Sequence, residues 1–127
     1  MKVCISSKGN SLESEMDPRF GRAAYFIIAE TDNSEAEIIK NEAAASGGGA
    51  GITSGQFMAD KGVSAVITGN VGPNAMNVLK AAGIEIYRGV EVSVKENIEK
   101  FKKGILEKIN ASVSSHYGMG LQNSQNS

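Results

Sequence analysis

The sequence predicts a three-layer α/β fold in which a mixed five-stranded sheet carries helices on both faces. Strand-like and helix-like segments follow one another in the order β-β-β-α-β-α-β-α. Strands that are separated by a helix pair in parallel through right-handed crossovers, whereas a short turn permits an antiparallel hairpin. The chain has 127 residues, of which 41% are hydrophobic, and this suits one domain with a real core.

Three strand-like segments open the chain. The first, Lys2–Ser7, alternates and is rich in β-branched residues. A polar, turn-rich loop separates it from the second segment, residues 24–30, which has the strongest strand pattern of the sequence. A turn of Thr, Asp, Asn and Ser then leads into the third segment, residues 35–41. The short connection predicts that the second and third strands form an antiparallel hairpin.

Helices and strands alternate in the second half of the chain. The first helix is predicted from about residue 52 to residue 61, with Gly62 at the position that follows a helix end. A buried strand, residues 63–68, comes next. Pro73 fits the first position of the second helix, which ends at Gly83.

The last strand, residues 84–87, is followed by a third helix. Ser93 and Glu96 form a capping box at its start. One helical face then continues to the end of the helix through these apolar residues: Val94, Ile98, Phe101, Ile105 and Ile109.

A three-stranded meander that is extended by two parallel strands is the layout of the ribonuclease H-like motif. The order of strands in the sheet is therefore predicted to be 3-2-1-4-5. The domain is predicted to cover residues 1–109. From Asn110 the chain turns to Ser, Asn, Gln and Gly, so residues 110–127 are predicted to be a disordered polar tail.

Composition and charge exclude several classes of function. A net charge of −1 and a pI of about 5.8 argue against a nucleic-acid-binding module. No apolar run approaches the roughly 20 residues of a membrane span, so we expect a cytoplasmic protein that contacts no membrane. The predicted first and fourth strands carry no carboxylate for two-metal nuclease chemistry. No set of acid, base and nucleophile can be assembled, so the sequence does not favour an enzyme.

The loop before the second strand contains a Phe-Gly-Arg step that has two interpretations. In the local interpretation, which the motif alone favours, Phe20 closes the end of the sheet and Gly21 adopts a backbone conformation closed to other residues. Arg22 then pairs with Asp17. In the functional interpretation, the Arg22 guanidinium faces a site and recognises an anionic ligand through its fixed donors.

Two glycine-rich stretches precede the first two helices. Gly48 and Gly49 belong to the first stretch, and Gly69 and Gly72 frame the second. Helix starts present unpaired backbone N–H groups to anions, and glycines allow a ligand to approach closely. The alternatives are a flexible loop and a tight strand-to-helix turn. Because the first and fourth strands are predicted neighbours, residues 6–9 are expected beside residues 69–74, where ligands of α/β sheets bind.

The single cysteine and the single histidine are weak candidates for metal ligands. Cys4 lies in a predicted central strand, where a thiol is more often a small buried hydrophobic group than an iron ligand. His116 lies in the predicted tail, where it is either solvated or a flexible metal ligand.

Several motifs, in this order and spacing, resemble the dinitrogenase iron–molybdenum cofactor biosynthesis family over roughly residues 1–109. They include Asp17-Pro18-Arg19-Phe20-Gly21-Arg22, Gly72-Pro73-Asn74-Ala75 and Ala82-Gly83-Ile84. The resemblance implies a ribonuclease H-like domain that carries iron–molybdenum cofactor or an iron–sulfur precursor without catalysing a reaction. It implies the following cofactor-binding positions: Asp17, Phe20, Gly21, Arg22, Gly69, Gly72 and Asn74. Carriers in the family often use His or Cys ligands, whereas the predicted folded part of this chain has only Cys4.

Three classes of function follow from these observations. The leading hypothesis is a carrier for an iron–molybdenum or iron–sulfur cluster, whose partners are the cluster, a protein that accepts it, or a second copy of the chain. The alternative is a metal-free binding module for a small anionic metabolite or nucleotide. The third is an interaction protein that uses the exposed third strand as a pairing edge.

Overall fold

The computed structural model of the chain describes residues 1–33, 35–45 and 50–110. Nine strands and helices are found there, in this order: β1 (Lys2–Ser7), β2 (Tyr25–Glu30), β3 (Ala36–Lys40), α1 (Ala50–Asp60), β4 (Ala65–Thr68), α2 (Pro73–Ala81), β5 (Glu85–Arg88), α3 (Val94–Lys102) and β6 (Glu107–Lys108). Two short 3-10 turns, Phe20–Arg22 and Glu42–Ala45, precede β2 and α1. The predicted disordered tail lies outside the described residues except for Asn110.

All six strands form one mixed sheet in the order β3-β2-β1-β4-β5-β6. β1 pairs with β2 antiparallel and with β4 parallel, β2 pairs with β3 antiparallel, and β4 pairs with β5 parallel. The predicted order of the first five strands is therefore confirmed. The prediction of five strands in total is wrong, because β6 adds an antiparallel strand beside β5.

The third helix is shorter than predicted, and this is why β6 exists. α3 ends at Lys102, and Gly104 adopts a left-handed backbone with φ of 72° that stops the helix. The chain then returns along β5, where the backbone N–H of Ile109 donates to the Ile86 carbonyl at 2.8 Å. Ile109, which was predicted on the apolar face of the third helix, lies after the end of α3 and is nevertheless buried in the core. Ile105, on the predicted helical face, is 62% exposed.

Two apolar cores lie on the two faces of the sheet. α1 and α2 cover one face, where they contribute Met58, Met76 and Leu79. α3 covers the other face through Val94 and Ile98. The predicted three-layer arrangement is therefore present.

The helix ends follow the sequence signals. Gly62 and Gly83 have φ of 73° and 75° after α1 and α2, and Pro73 is the first residue of α2. The Ser93 hydroxyl caps α3 by accepting from the Glu96 backbone N–H at 3.1 Å. Among the residues that the structure describes, no helix has both the length and the apolarity of a membrane span.

Candidate functional site

The loop before β2 is fixed across the carboxyl ends of β1 and β4. The backbone N–H of Asp17 donates to the Ser6 carbonyl at 2.9 Å, and the N–H of Asn70 donates to the Pro18 carbonyl at 2.7 Å. The buried Ser6 hydroxyl donates to the Asp17 carbonyl at 2.6 Å and lies 2.7 Å from the Thr68 hydroxyl. The predicted meeting of the ends of these two strands is therefore present, with the loop laid over them.

Gly69 allows the loop to approach this closely. A Cβ atom at Gly69 would lie 2.5 Å from the Cβ atom of Pro18 and 2.9 Å from its carbonyl oxygen. A Cβ atom of a folded protein does not come so close to non-bonded atoms, so only glycine fits between the loop and the end of β4. The structure thus gives Gly69 a packing role next to the site.

Asp17 pairs with Arg19, and the predicted pairing with Arg22 is wrong. Asp17 Oδ1 accepts from the Arg19 backbone N–H at 2.9 Å and from Nε at 3.1 Å, and Oδ2 accepts from Nη2 at 3.0 Å. The Asp17 side chain is 2% exposed. Burial raises the pKa of the Asp17 carboxyl, but the hydrogen bonds and charge of Arg19 outweigh it and bring the pKa below its ordinary value. The chain turns between Arg19 and Arg22, and this turn carries Arg22 away from the carboxylate.

The 3-10 turn Phe20–Arg22 is held from both sides. Phe20 is buried and its ring centroid lies 5.4 Å from that of Phe26, as the local interpretation predicts. The conformational reason predicted for Gly21 is wrong: in the described part of the chain the left-handed glycines are Gly62, Gly83 and Gly104. Gly21 is instead packed closely, because a Cβ atom there would lie 3.1 Å from the backbone N and Cα atoms of Gly51.

A buried amide that sequence reasoning missed supports the same turn. Asn41 Nδ2 donates to the carbonyls of Ala23 at 2.8 Å and Gly21 at 3.2 Å. Its Oδ1 accepts from the backbone N–H of Ala43 at 3.2 Å. Asn41 is the last residue of the predicted third strand, whereas β3 ends at Lys40. An Asn just after a run of strand residues is the signal that could have revealed a turn there.

A cleft of about 250 Å³ opens between the 3-10 turn and the starts of α1 and α2. Five residues of the predicted site line it together: Phe20, Gly21, Arg22, Gly72 and Asn74. Asp17 and Gly69 are not among its lining residues, and Gly48 and Gly49 lie outside the described residues. The three residues of the Phe-Gly-Arg step therefore line a cavity, and this is where the functional interpretation would place an anionic ligand.

The cleft presents groups that suit an anion. Gly72 precedes α2 and has no side chain that could cap it, and Pro73 has no N–H group. Asn74 and Ala75, whose backbone N–H groups belong to the first turn at the positive end of the helix, line the cleft. Gly51 lies in the first turn of α1. The exposed Arg22 guanidinium contributes a full positive charge, and its Nη1 donates to the Ala44 carbonyl at 3.4 Å. Among the residues that the structure describes, no Asp or Glu lines the cleft.

Of the two candidate metal ligands, the structure describes Cys4 and places it away from this cleft. Cys4 is fully buried in the core beneath α1 and α2, and burial raises the pKa of its thiol far above the ordinary value. His116 lies outside the described residues. Within the described ranges, no group of three or more His, Cys, Asp or Glu side chains is arranged to hold a metal ion.

The chain is thus a small α/β domain with a mixed sheet, in which one cleft is lined by an arginine and by the starts of two helices. The sequence model of the dinitrogenase iron-molybdenum cofactor family matches residues 1–104. The chain belongs to this family, which is related to the iron–molybdenum cofactor of dinitrogenase.

Known proteins resemble the chain over most of their length. Protein MJ0580 of Methanocaldococcus jannaschii is 40% identical over 111 residues, which is 85% of this chain and 91% of the relative. The apo form of the orange protein from Desulfovibrio gigas superposes with a TM-score of 0.81 at 33% identity, covering 85% of this chain and 92% of that one. The NifB-like Thermotoga protein TM1290 has a TM-score of 0.80 at 38% identity, with coverages of 90% and 97%.

Proposed function

We propose that the chain is a non-catalytic carrier that binds an iron–molybdenum or iron–sulfur cluster in the cleft for assembly, delivery or storage. The observation that carries the proposal is the convergence of Arg22 with the starts of α1 and α2 on one cavity. Membership of a family related to the iron–molybdenum cofactor supports a cluster as the cargo. A protein that accepts the cluster would then be the functional partner.

The cluster would be held by hydrogen bonds and charge. Clusters of this kind are anionic, and their sulfur atoms accept hydrogen bonds from backbone N–H groups and guanidinium donors. Arg22 could also pair with the carboxylate of an organic acid attached to the cluster. A Cβ atom at Gly72 would have no atom within 4 Å, so the backbone there is open to a ligand. Cys4 is buried, and the proposal therefore assigns it no bond to iron.

Anaerobic loading of the purified chain with cluster tests the proposal. After desalting, the wild type is expected to retain absorbance at roughly 300–500 nm, the charge-transfer region of such clusters. Arg22→Gln is expected to weaken retention about 10- to 100-fold, because a charge-assisted hydrogen bond contributes about 1.5–3 kcal/mol. Cys4→Ala is expected to retain the cluster.

Lys95→Gln is the matched control for the loss of one positive charge. Lys95 is exposed on α3, which covers the opposite face of the sheet from the cleft. Equal loss of cluster from Lys95→Gln and Arg22→Gln would show that net charge alone drives retention. Absence of absorbance from the loaded wild type would contradict the carrier proposal.

The second candidate function is a metal-free binding module for a small anionic metabolite or nucleotide. The chemistry of the cleft favours it, because the described lining residues supply anion donors and include no His, Cys, Asp or Glu. Thermal melting with phosphate, nucleotides and polycarboxylates tests this candidate. A ligand at one hundred times its dissociation constant would stabilise the fold by about 2.7 kcal/mol. A flat response, together with cluster retention, would reject it.

A further inference from the structure

A second cavity, of about 210 Å³, lies between the end of β3, the 3-10 turn Glu42–Ala45 and α1. Its walls are apolar: Phe26, Ile39, Ala43 and Phe57 face it. It shares no lining residue with the cleft described above. A ligand of this cavity would therefore occupy a different place from the proposed cluster.

One polar side chain lies in this apolar setting without a partner. Ser54, in the middle of α1, lines the cavity and is only 2% exposed. Among the residues that the structure describes, its Oγ is a buried side-chain atom with no hydrogen-bond partner. Buried hydroxyls are rarely left unpaired, so the partner of Ser54 Oγ is an ordered water or an atom of a ligand.

Other polar groups of the lining do not satisfy Ser54. The Asn41 amide already bonds to the carbonyls of Gly21 and Ala23 and to the backbone N–H of Ala43. Lys40, Glu42 and Thr53 are exposed residues, so they form the polar rim of the cavity. The arrangement of an apolar interior, one interior hydroxyl and a charged rim is typical of sites for small organic ligands.

We propose that this cavity is a binding site for a small, mainly apolar organic molecule whose single hydroxyl or carbonyl group hydrogen-bonds to Ser54 Oγ. Size sets the class of ligand, since an apolar cavity of about 150 Å³ accepts benzene. The larger volume here leaves room for one substituent on a six-membered ring. Such a ligand supplies the missing partner of Ser54 and fills space between Phe26 and Phe57.

Phenol and toluene are the probes, because they have similar size and differ in one hydroxyl group. Binding to the full chain is measured for each by titration calorimetry and ligand-observed NMR. Both probes are expected to bind the wild type saturably. Ser54→Ala is expected to weaken phenol about 5-fold, the usual net effect of one hydrogen bond, and to leave toluene unchanged or tighter.

Ala43→Leu is the variant that fills the cavity. It adds three carbon atoms at a lining position and is expected to abolish binding of both probes, with circular dichroism checking that the fold is retained. Failure of both probes to bind the wild type would overturn the proposal. An unchanged affinity of Ser54→Ala for phenol would overturn the role given to Ser54. Cluster retention is measured separately on the wild type, so failure of the carrier proposal is distinguishable from failure of this one.

Discussion

Gly69→Ala tests whether the loop is held against the end of β4. The new Cβ atom would lie 2.5 Å from the Pro18 Cβ atom, 2.8 Å from its Cα atom and 2.9 Å from its carbonyl oxygen. Two of these three atoms belong to the backbone, so rotation of a side chain cannot relieve the contact. The loop must move away from β4, and the hydrogen bond from the Asn70 N–H to the Pro18 carbonyl, 2.7 Å long, must lengthen or break.

The expected cost is about 3 kcal/mol of unfolding free energy. Overpacking of a closely packed region costs about 1–3 kcal/mol, and loss of one backbone hydrogen bond adds about 1 kcal/mol. Phe20, whose backbone N–H donates to Asn70 at 3.3 Å, is carried by the same loop. Displacement of the loop should therefore also disturb the turn that presents Arg22 to the cleft.

Urea unfolding followed by circular dichroism measures this cost, with Gly72→Ala as the matched control. Gly72 has φ of −72°, which alanine adopts, and a Cβ atom there would have no atom within 4 Å. Alanine is a poorer residue than glycine before a helix, so Gly72→Ala should cost less than about 1 kcal/mol. If Gly69→Ala costs no more than Gly72→Ala, then the close approach of the loop to β4 is not what determines its position.

Three further predictions follow from the same structure. Gly72→Ala, besides its small cost in stability, should lower cluster retention about tenfold, since it adds a methyl group at a residue that lines the cleft; absorbance after desalting measures this. Ser54→Ala should raise the unfolding free energy in urea by about 1 kcal/mol, because it removes an unpaired buried hydroxyl. The pKa of Asp17 is lowered in the folded chain, so its stabilisation is present above the ordinary value of 3.8 and lost as pH falls through the lower value. Asp17→Asn should lose less stability in urea than the wild type does as the pH falls below about 4, and an unchanged profile would contradict the role given to the Arg19 pair.

Local sequence signals were sufficient to predict most strands of the sheet and the boundaries of the helices between them. β1 and β2 have β-branched, apolar residues, and Gly62, Pro73 and Gly83 mark helix boundaries through backbone chemistry that does not depend on the rest of the fold. β6 has no such signal. Its two residues, Glu107 and Lys108, are polar and become a strand only because they pair with β5 and form ion pairs to its side chains.

The location of the cleft could be predicted from the sequence, whereas the side-chain contacts around it could not. The order of strands indicates which carboxyl ends meet, so the gathering of Arg22 with Gly72 and Asn74 follows from topology. The choice of Arg19 over Arg22 as partner of Asp17 depends on the direction of a three-residue 3-10 turn. No residue pattern encodes that direction, and it is determined by Asn41 and Gly51 from distant parts of the chain.

Backbone contacts, more than side chains, hold the cleft in shape. A Cβ atom at Gly21 would lie 3.1 Å from Gly51, and a Cβ atom at Gly51 would lie 3.1 Å from the Ala75 Cβ atom. The 3-10 turn, α1 and α2 are therefore in contact at positions where almost no side-chain freedom exists. N–H groups fixed in this way lose little entropy when an anion binds. Such a site can hold a cluster through several individually weak hydrogen bonds, each a factor of about 5 in affinity. Release of the proposed cargo would then break hydrogen bonds and no iron–thiolate bond.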